Sequence, residues 1–316
     1  MHIIDGEAGV PVPQKTLKTS IHCRGIGLHS GAPVSLTLNP AEPGHGIVFK
    51  RTDIDDGRET LIPARWDHVS DTTLCTTISN QDDIQVATIE HLMAALAGAE
   101  IDNLLIEIDG PEVPIMDGSA APFVLLVDCA GTVNQNAPRR AIRVLREVSI
   151  SDDERSITIG PADTLSIDFE IDFDCPAITD NALKVELVNG TFNHEVSSAR
   201  TFGFLADVDR LRKMGLARGG SLDNAIIVDK GKVLNEDGLR HKDEFVRHKV
   251  LDCIGDLYLA GMPILGAVAA SRSGHSYNNK LLHALLSDPA AYEVIELSAH
   301  EAQADWRDEQ LLAASA

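Results

Sequence analysis

The stretch "EFVRHKVLDCIGDLYLAG", residues 244–261, combines the apolar periodicity of an amphipathic helix with polar side chains that can bind a metal or move a proton. On a helix, residues four apart differ by about 40° around the axis, so His248 and Asp252 project from one face. A metal ion could lie between them. The same spacing also suits an exposed hydrogen-bonded pair, so the helix alone leaves both interpretations open.

Two further polar residues of this helix point in other directions. Asp256 lies about 80° from His248, which suits a partner of a metal ligand or a hydrogen-bond acceptor for substrate. Lys249 lies within about 60° of Asp252, on its other side. From there it could reach an anionic or carbonyl oxygen near the metal.

The segment "TIEHLMAALAG", residues 88–98, predicts a second helix in which Glu90 and His91 stand among Leu, Met and Ala. Charged groups in such surroundings are disfavoured unless they are paired or face a cleft. Adjacent helical residues diverge by about 100°, so both can address one site only where the helix borders a cleft. His91 would then be a third metal ligand and Glu90 a general base. The alternative is a surface glutamate beside a hydrogen-bonded core histidine.

A third segment places His275 directly after a glycine and the apolar strand "PILGAVAA", residues 263–270. We expect a loop there, from which a histidine can donate a proton near neutral pH. Three protein ligands leave a position open for water, as in catalytic zinc sites, where zinc lowers the pKa of that water to about 7. Glu90 would take the proton, His275 would protonate the leaving amine, and Lys249 and Thr201 would stabilise the oxyanion. These residues predict amide hydrolysis.

Two other classes of function use similar residues. Two histidines and one carboxylate are also the ligands of non-haem Fe(II) oxygenases, which would require oxygen and a 2-oxoacid. A non-catalytic ligand-binding protein could be built on the same scaffold, because fold does not fix function. Glu90 beside a metal ligand favours hydrolysis.

Composition narrows the class of protein. The chain has 316 residues, 44% of them hydrophobic, which suits one large or two ordinary domains. Lys plus Arg number 27 against 48 for Asp plus Glu, and the net charge of -21 argues against nucleic acid or an anionic membrane as the main partner. The five cysteines are odd in number and never spaced as CxxC, which argues against a disulfide framework. With neither a signal peptide nor an apolar run long enough to span a bilayer, we expect a soluble cytoplasmic protein.

Strand-like and helical patterns are mixed in two halves of the chain. Alternating segments such as "VSLTLNPA" (34–41) and "LSIDFEIDF" (165–173) predict strands, and "APFVLLVDCAG" (121–131) predicts a helix. The polar stretch "GTVNQNAPRR", residues 131–140, breaks both patterns and is the best candidate for a linker. The pattern predicts two α+β halves, each with antiparallel strands and helices on one side.

Seven segments resemble, in order, the signature blocks of the zinc-dependent UDP-3-O-acyl-N-acetylglucosamine deacetylases of lipid A biosynthesis. They are "GIGLHSG", "TIEHLMAALAG", "EVPIMDGSAAPF", "ARTFGF", "GLARGGSLDNAI", "DEFVRHKVLDCIGDLYLAG" and "SGHSYNN", and the resemblance covers residues 14–290. It implies removal of acetate from UDP-3-O-(3-hydroxyacyl)-N-acetylglucosamine, the committed step of lipopolysaccharide synthesis in a Gram-negative bacterium. The implied cofactor is Zn²⁺, with Fe²⁺ as the alternative in the cell. We expect a monomer, but no sequence feature specifies the oligomeric state.

The resemblance also assigns roles to individual positions. It implies zinc ligands at His91, His248 and Asp252, a general base at Glu90, a catalytic histidine at His275, an oxyanion-stabilising Thr201, Lys249 near the substrate carbonyl or sugar, and Asp256 beside His275 to keep that imidazole protonated.

The family's fold implies two α+β domains of similar topology, mainly antiparallel sheets facing outward and helices sandwiched between them. The domains would span residues 14–133 and 139–300, with residues 1–13 and 301–316 as terminal extensions. An insert near residues 202–232 would form a passage for the acyl chain, lined by Phe202, Leu205, Val208, Leu211 and Leu216. Two residues depart from the family pattern. They are Tyr277 and His241, and the second could compete weakly for the metal.

Overall fold

The computed structural model describes residues 10–188 and 190–298. Its first part, as far as residue 138, contains ten strands, two α-helices and one 3-10 helix (Trp66–His68) among the described residues. The strands and α-helices are β1 (Pro13–Leu17), β2 (Ile21–Ile26), β3 (Pro33–Pro40), β4 (Ile47–Arg51), β5 (Leu61–Pro63), β6 (Val69–Asp71), β7 (Thr77–Ser79), β8 (Gln85–Val86), α1 (Glu90–Gly98), β9 (Leu104–Ile108), α2 (Ala121–Ala130) and β10 (Thr132–Pro138).

The second part has a similar mixture of strands and helices. Its described elements are β11 (Arg140–Val144), β12 (Val148–Ser151), β13 (Ser156–Gly160), β14 (Leu165–Glu170), β15 (Ala182–Glu186), β16 (Phe202–Phe204), α3 (Leu205–Lys213), β17 (Ile226–Asp229), β18 (Lys232–Val233), α4 (Glu244–Tyr258), β19 (Ile264–Ser271), α5 (His275–Leu286) and β20 (Tyr292–Glu296). The α+β class predicted from the sequence is confirmed.

Two larger sheets organise the fold. One has five strands in the order β2-β3-β9-β4-β5, antiparallel except where β4 runs parallel to β9. The other has seven strands around β19, which is antiparallel to β13 and parallel to β11 and β14. Strands β4 and β9 alternate buried and half-buried residues, as the period-two side-chain pattern predicts. One face of the five-stranded sheet is therefore buried.

The helices lie between these two sheets. Helix α2 contacts β2 of the five-stranded sheet, α4 contacts β14 and β15 of the seven-stranded sheet, and α1 packs on both α2 and α4. The expected sandwich of helices between sheets is therefore present. No helix in the described ranges is both long and apolar enough to cross a membrane.

The crossing of α1 and α4 is unusually close because of a single glycine. A Cβ atom added to Gly255 would lie 2.0 Å from the carbonyl oxygen of Glu90 and 3.1 Å from the amide nitrogen of Ala94. Atoms this close would clash, so a larger residue would push the helices apart. Gly255 thus allows the first turn of α1 to lie against the last turn of α4.

The structure differs from the sequence predictions at three places. The polar stretch 131–140, predicted as an irregular linker, contains β10, which pairs antiparallel with β1. His275, predicted in a loop, is the first residue of α5. Helical periodicity begins before Glu90, but Thr88 has a left-handed backbone with φ of 57°, which keeps the helix from starting earlier.

Residues 202–233 form a small unit of their own. Strands β16 and β17 are parallel and joined through α3, and β18 pairs antiparallel with β17. The insert expected at residues 202–232 falls on this unit. Residues 1–9 and 299–316 lie outside the described residues, and so do the expected C-terminal extension and most of the N-terminal one.

Candidate metal centre and active site

Two helices bring three possible metal ligands together. His91 comes from the first turn of α1, and His248 and Asp252 come from one face of α4. The Nε2 atoms of His91 and His248 lie 3.6 Å and 3.4 Å from Asp252 Oδ1. One ligand atom from each residue lies within 4.8 Å of the others, and all three residues are buried. The separation suits three ligands around one ion.

The strongest sign of a cation is an unsatisfied oxygen. Asp252 Oδ1 is buried and has no hydrogen-bond partner among the described residues. Its other oxygen, Oδ2, accepts a hydrogen bond of 2.7 Å from Lys249 Nζ. A buried carboxylate oxygen without a partner is costly, because it has lost water and gained nothing. A metal ion between Oδ1 and the two imidazoles would remove this cost.

The surroundings of His248 favour a neutral imidazole whose Nε2 can bind a metal. Its Nδ1 lies 3.0 Å from the carbonyl oxygen of Ala199, which can only accept a hydrogen bond, so Nδ1 carries the proton. Burial lowers the pKa of His248 to about 4, although the charge of Asp252 opposes the shift. The Nε2 lone pair is therefore free to bind a metal, and a hydrogen bond to a carbonyl is the usual way to fix a ligating imidazole.

Glu90 lies beside these ligands, at the start of α1. Its Oε2 accepts a hydrogen bond of 3.0 Å from the main-chain N–H of Thr76, and the side chain is buried. Burial raises the pKa of Glu90 above its ordinary value, against the lowering effect of His275 and His91. A carboxylate with a raised pKa is a better proton acceptor, as a general base requires.

His275 also lies beside the cluster, held by Asp256. Its Nδ1 donates a 2.8 Å hydrogen bond to Asp256 Oδ2, and its Nε2 lies 3.9 Å from Asp252 Oδ2. Burial would lower the pKa of His275, but the charge and hydrogen bond of Asp256 outweigh it and raise the pKa to about 9. The imidazole is therefore protonated at neutral pH and can act as a proton donor.

Comparison with known sequences identifies the family of this chain. The family model described as "UDP-3-O-acyl N-acetylglycosamine deacetylase" matches residues 14–287. The chain belongs to this family.

Three relatives illustrate how close the similarity is. All three are named UDP-3-O-acyl-N-acetylglucosamine deacetylase. The protein from Myxococcus xanthus (strain DK1622) is 51% identical over 282 residues, covering 89% of each chain. That from Hahella chejuensis (strain KCTC 2396) is 50% identical and covers 90% of this chain and 94% of its own. That from Haemophilus influenzae (strain 86-028NP) is 49% identical and covers 90% and 93%.

Two further residues of the expected deacetylase site, Lys249 and Thr201, have defined hydrogen-bond partners. The ammonium group of Lys249 donates a hydrogen bond to Asp252. Burial disfavours the charged form of Lys249, but the Asp252 carboxylate outweighs burial and raises the pKa of Lys249, so the side chain stays protonated. Thr201 is held through its backbone, since its N–H donates to Gly118 and its carbonyl accepts from Ile226, each at 2.8 Å. Position 118 requires a glycine because another backbone segment lies very close to it. A Cβ atom at Gly118 would lie 2.1 Å from the Asn224 carbonyl oxygen.

The residues expected to line an acyl passage differ in their surroundings. The Phe202 ring packs edge-on against Phe245 and Phe173, with centroids 5.0 Å and 5.6 Å apart, and lies 6.3 Å from the His248 ring. Val208, Leu211 and Leu216 are half-buried and Leu205 is exposed, and no residue of α3 is buried. The apolar side of α3 is thus not part of the described core.

The two departures from the family pattern lie outside the metal cluster. His241 Nε2 lies 2.8 Å from Ser198 Oγ, and among the described residues only His91, His248 and Asp252 form a metal-binding group. Tyr277 is buried, and its hydroxyl donates to Asp152.

Sequence reasoning missed two side chains that complete the site. Thr76 and Asn278 both donate hydrogen bonds to Asp256, at 2.5 Å and 2.8 Å. Thr76 stands in "LCTTIS", which has no feature that distinguishes it from a short strand. Asn278 lies three residues after His275, so helical spacing could have indicated that it shares a face with the histidine.

Proposed function

We propose that this protein hydrolyses the N-acetyl group of UDP-3-O-(3-hydroxyacyl)-N-acetylglucosamine to acetate and the free amine. This is the committed step of lipid A biosynthesis, and we place it in the cytoplasm of a Gram-negative bacterium, carried out by a monomer. The observation that supports the chemistry is the unpartnered Oδ1 of Asp252 between two histidines. The names of relatives about 50% identical to this chain support the substrate.

The proposed metal is Zn²⁺, held by His91, His248 and Asp252, with Fe²⁺ as the alternative in the cell. Two imidazoles and a carboxylate suit either ion, and three protein ligands leave a position open, as catalytic zinc sites require. When bound there, the metal would polarise the acetamide carbonyl and allow water to lose a proton near neutral pH.

The protein's own groups would perform the proton transfers. Glu90 takes the proton of the attacking water at Oε1, because Oε2 is already bonded to the Thr76 amide. His275, protonated and with Nδ1 bonded to Asp256, delivers its Nε2 proton to the leaving nitrogen. Lys249 and Thr201 donate hydrogen bonds to the oxygen that becomes negative when water adds to the carbonyl. The roles of these residues in turnover are part of the proposal.

We further propose that the two α+β domains span residues 14–133 and 139–300, and that the unit at 202–232 guides the acyl chain. Phe202 adjoins the His248 ring, and α3 carries Leu205, Val208 and Leu211 without burying them in the described core. Apolar side chains left outside the core can bury an acyl chain instead.

The test is acetate release from UDP-3-O-acyl-N-acetylglucosamine by purified protein, before and after treatment with a chelator. We expect activity to disappear with chelation and to return with added Zn²⁺, and Glu90→Gln to lower kcat while retaining the metal. Metal analysis of protein purified without added ions would distinguish zinc from iron. Full activity after removal of all metal would overturn the metal mechanism, and no acetate release under any metal would overturn the proposed reaction.

A further inference from the structure

Thr76 is a buried residue that contacts both sides of the proposed site. It immediately precedes β7 and is 1% exposed. Its main-chain N–H donates to Glu90 Oε2 at 3.0 Å. Its hydroxyl donates to Asp256 Oδ1 at 2.5 Å and also lies 3.2 Å from His275 Nδ1. The first contact reaches the proposed base on α1, and the second reaches α4, 180 residues along the chain. A single residue thus connects the groups that would accept and donate protons.

We propose that Thr76 is a positioning residue for the deacetylation, which fixes the Asp256 carboxylate and the His275 imidazole relative to Glu90 through its hydroxyl, which contacts both. This inference rests on the proposed function, because it assigns Thr76 to the same reaction. Thr76 need not touch the substrate. Its effect would pass through the orientation of two other side chains.

The hydrogen bonds of Asp256 indicate why the hydroxyl matters. Oδ2 accepts from both His275 Nδ1 and Asn278 Nδ2, each at 2.8 Å, whereas the only donor to Oδ1 among the described residues is the Thr76 hydroxyl. Without that donor, a buried carboxylate oxygen would be left unsatisfied. The carboxylate could then rotate towards another partner, and His275 would lose its fixed direction.

The hydrogen bond to Glu90 comes from the main chain of Thr76, not from its side chain. It can therefore be tested separately from the hydrogen bond to Asp256. Because the donor is the backbone N–H, any residue except proline at this position can supply it. A side-chain substitution therefore removes the bond to Asp256 and leaves the bond to Glu90. This makes the hydroxyl testable by itself.

The experiment compares Thr76→Val, which keeps the shape and removes the donor, with Thr76→Ser, which keeps the donor. The matched control is Thr77→Val, since Thr77 is also buried but its hydroxyl contacts Cys75 Sγ at 3.8 Å. We expect Thr76→Val to lower kcat about 10- to 100-fold with unchanged KM and metal content, as is typical when a supporting hydrogen bond is lost. Thr76→Ser should restore most of kcat, and Thr77→Val should keep it.

A double-mutant cycle tests the route of the effect. Because Thr76, Asp256 and His275 contact one another, Thr76→Val should lower kcat by a smaller factor in an Asp256→Asn background than in the wild type. Additive losses in kcat would overturn the inference, and so would equal kcat for Thr76→Val and Thr76→Ser. If Thr76→Val does not fold, Thr76→Ala is compared with Thr76→Ser by the same criterion.

Two further variants separate this inference from the proposed function. If Glu90→Gln and Asp256→Asn both lose kcat while Thr76→Val does not, only the role of Thr76 is wrong. If Glu90→Gln and Asp256→Asn both keep wild-type kcat, the proposed proton transfers themselves are wrong.

Discussion

Two of the three buried carboxylates of helix α4, Glu244 and Asp252, have opposite surroundings. Glu244, at its first turn, is 0% exposed, and both oxygens are fully engaged. Oε1 accepts from the N–H and Nε of Arg200 at 3.0 Å and 2.9 Å, and Oε2 accepts from Arg200 Nη2 and the Arg240 N–H at 3.2 Å and 2.6 Å. Asp252, two turns later, has one oxygen bonded to Lys249 and one with no partner in the described structure.

The difference teaches how to separate a structural carboxylate from a binding one. Burial is nearly the same, at 0% and 4% exposure, so burial does not distinguish them. The hydrogen bonds do, because a saturated carboxylate stabilises the fold and has no capacity left for a ligand. A buried carboxylate with an unsatisfied oxygen destabilises the metal-free protein. Binding of a cation to that oxygen restores the lost stability.

The largest effect should follow Asp252→Asn, which tests the unsatisfied member of the comparison. The amide has no negative charge to offer a metal between His91 and His248. We expect metal affinity and acetate release to fall together, by more than the roughly 100-fold that loss of a supporting residue costs. Metal titration and turnover measure this, with Asp243→Asn as the control, since Asp243 pairs with Arg247 at 2.6 Å outside the cluster. Wild-type metal affinity in Asp252→Asn would refute the ligand assignment.

The next effect tests the saturated carboxylate. Glu244→Ala leaves Arg200 buried without its counter-ion, and we expect the free energy of unfolding to fall by about 3–5 kcal/mol. Denaturant unfolding measures the loss. Metal content per folded molecule should stay unchanged, because Glu244 is not one of the three clustered ligands. If Glu244→Ala kept the wild-type free energy of unfolding but lost metal, Glu244 would be a binding carboxylate and not a structural one.

The third buried carboxylate of α4, Asp256, should be detectable through the pH at which His275 loses its proton. The pKa of His275 is raised from 6.5 to about 9, so its protonated form persists in the folded protein up to that pH. The associated stability is fully present below pH 6.5, the unfolded value, and is lost as pH rises through about 9. NMR titration of the metal-free protein should give a His275 midpoint near 9 and a lower midpoint in Asp256→Asn. An unchanged midpoint in that variant would exclude Asp256 as the main cause.

The smallest effect on stability should come from α3, the helix without a buried residue. Leu211→Ser is expected to change the free energy of unfolding by no more than about 0.5 kcal/mol, as for other surface substitutions. If the acyl chain lies along α3, the substitution should raise KM for a long-chain substrate and leave KM for a short-chain analogue nearly constant. A large loss of stability would show that Leu211 belongs to the core. An equal change of KM for the two substrates would show that the acyl chain binds elsewhere.

Much of the site was visible in the sequence because it depends on local spacing. His248 and Asp252 share a face of α4 by helical geometry, and Glu90 and His91 stand out because charged residues are rare among Leu, Met and Ala. The structure brings His91 to the other two, with ligand atoms within 4.8 Å. Local spacing failed for His275, which was expected in a loop but begins α5.

The sequence by itself determined the main helices, several of the strands, the α+β class and, through its long ordered segments, the family. These follow from periodicity and local composition, which act over one or two turns. Only the tertiary structure decided that Gly255 lets α1 approach α4, that Thr76 bonds to Asp256, and that Asp252 Oδ1 lacks a partner among the described residues. These contacts join residues far apart in the chain, and they are set by packing and by the satisfaction of buried polar groups, which no short segment specifies.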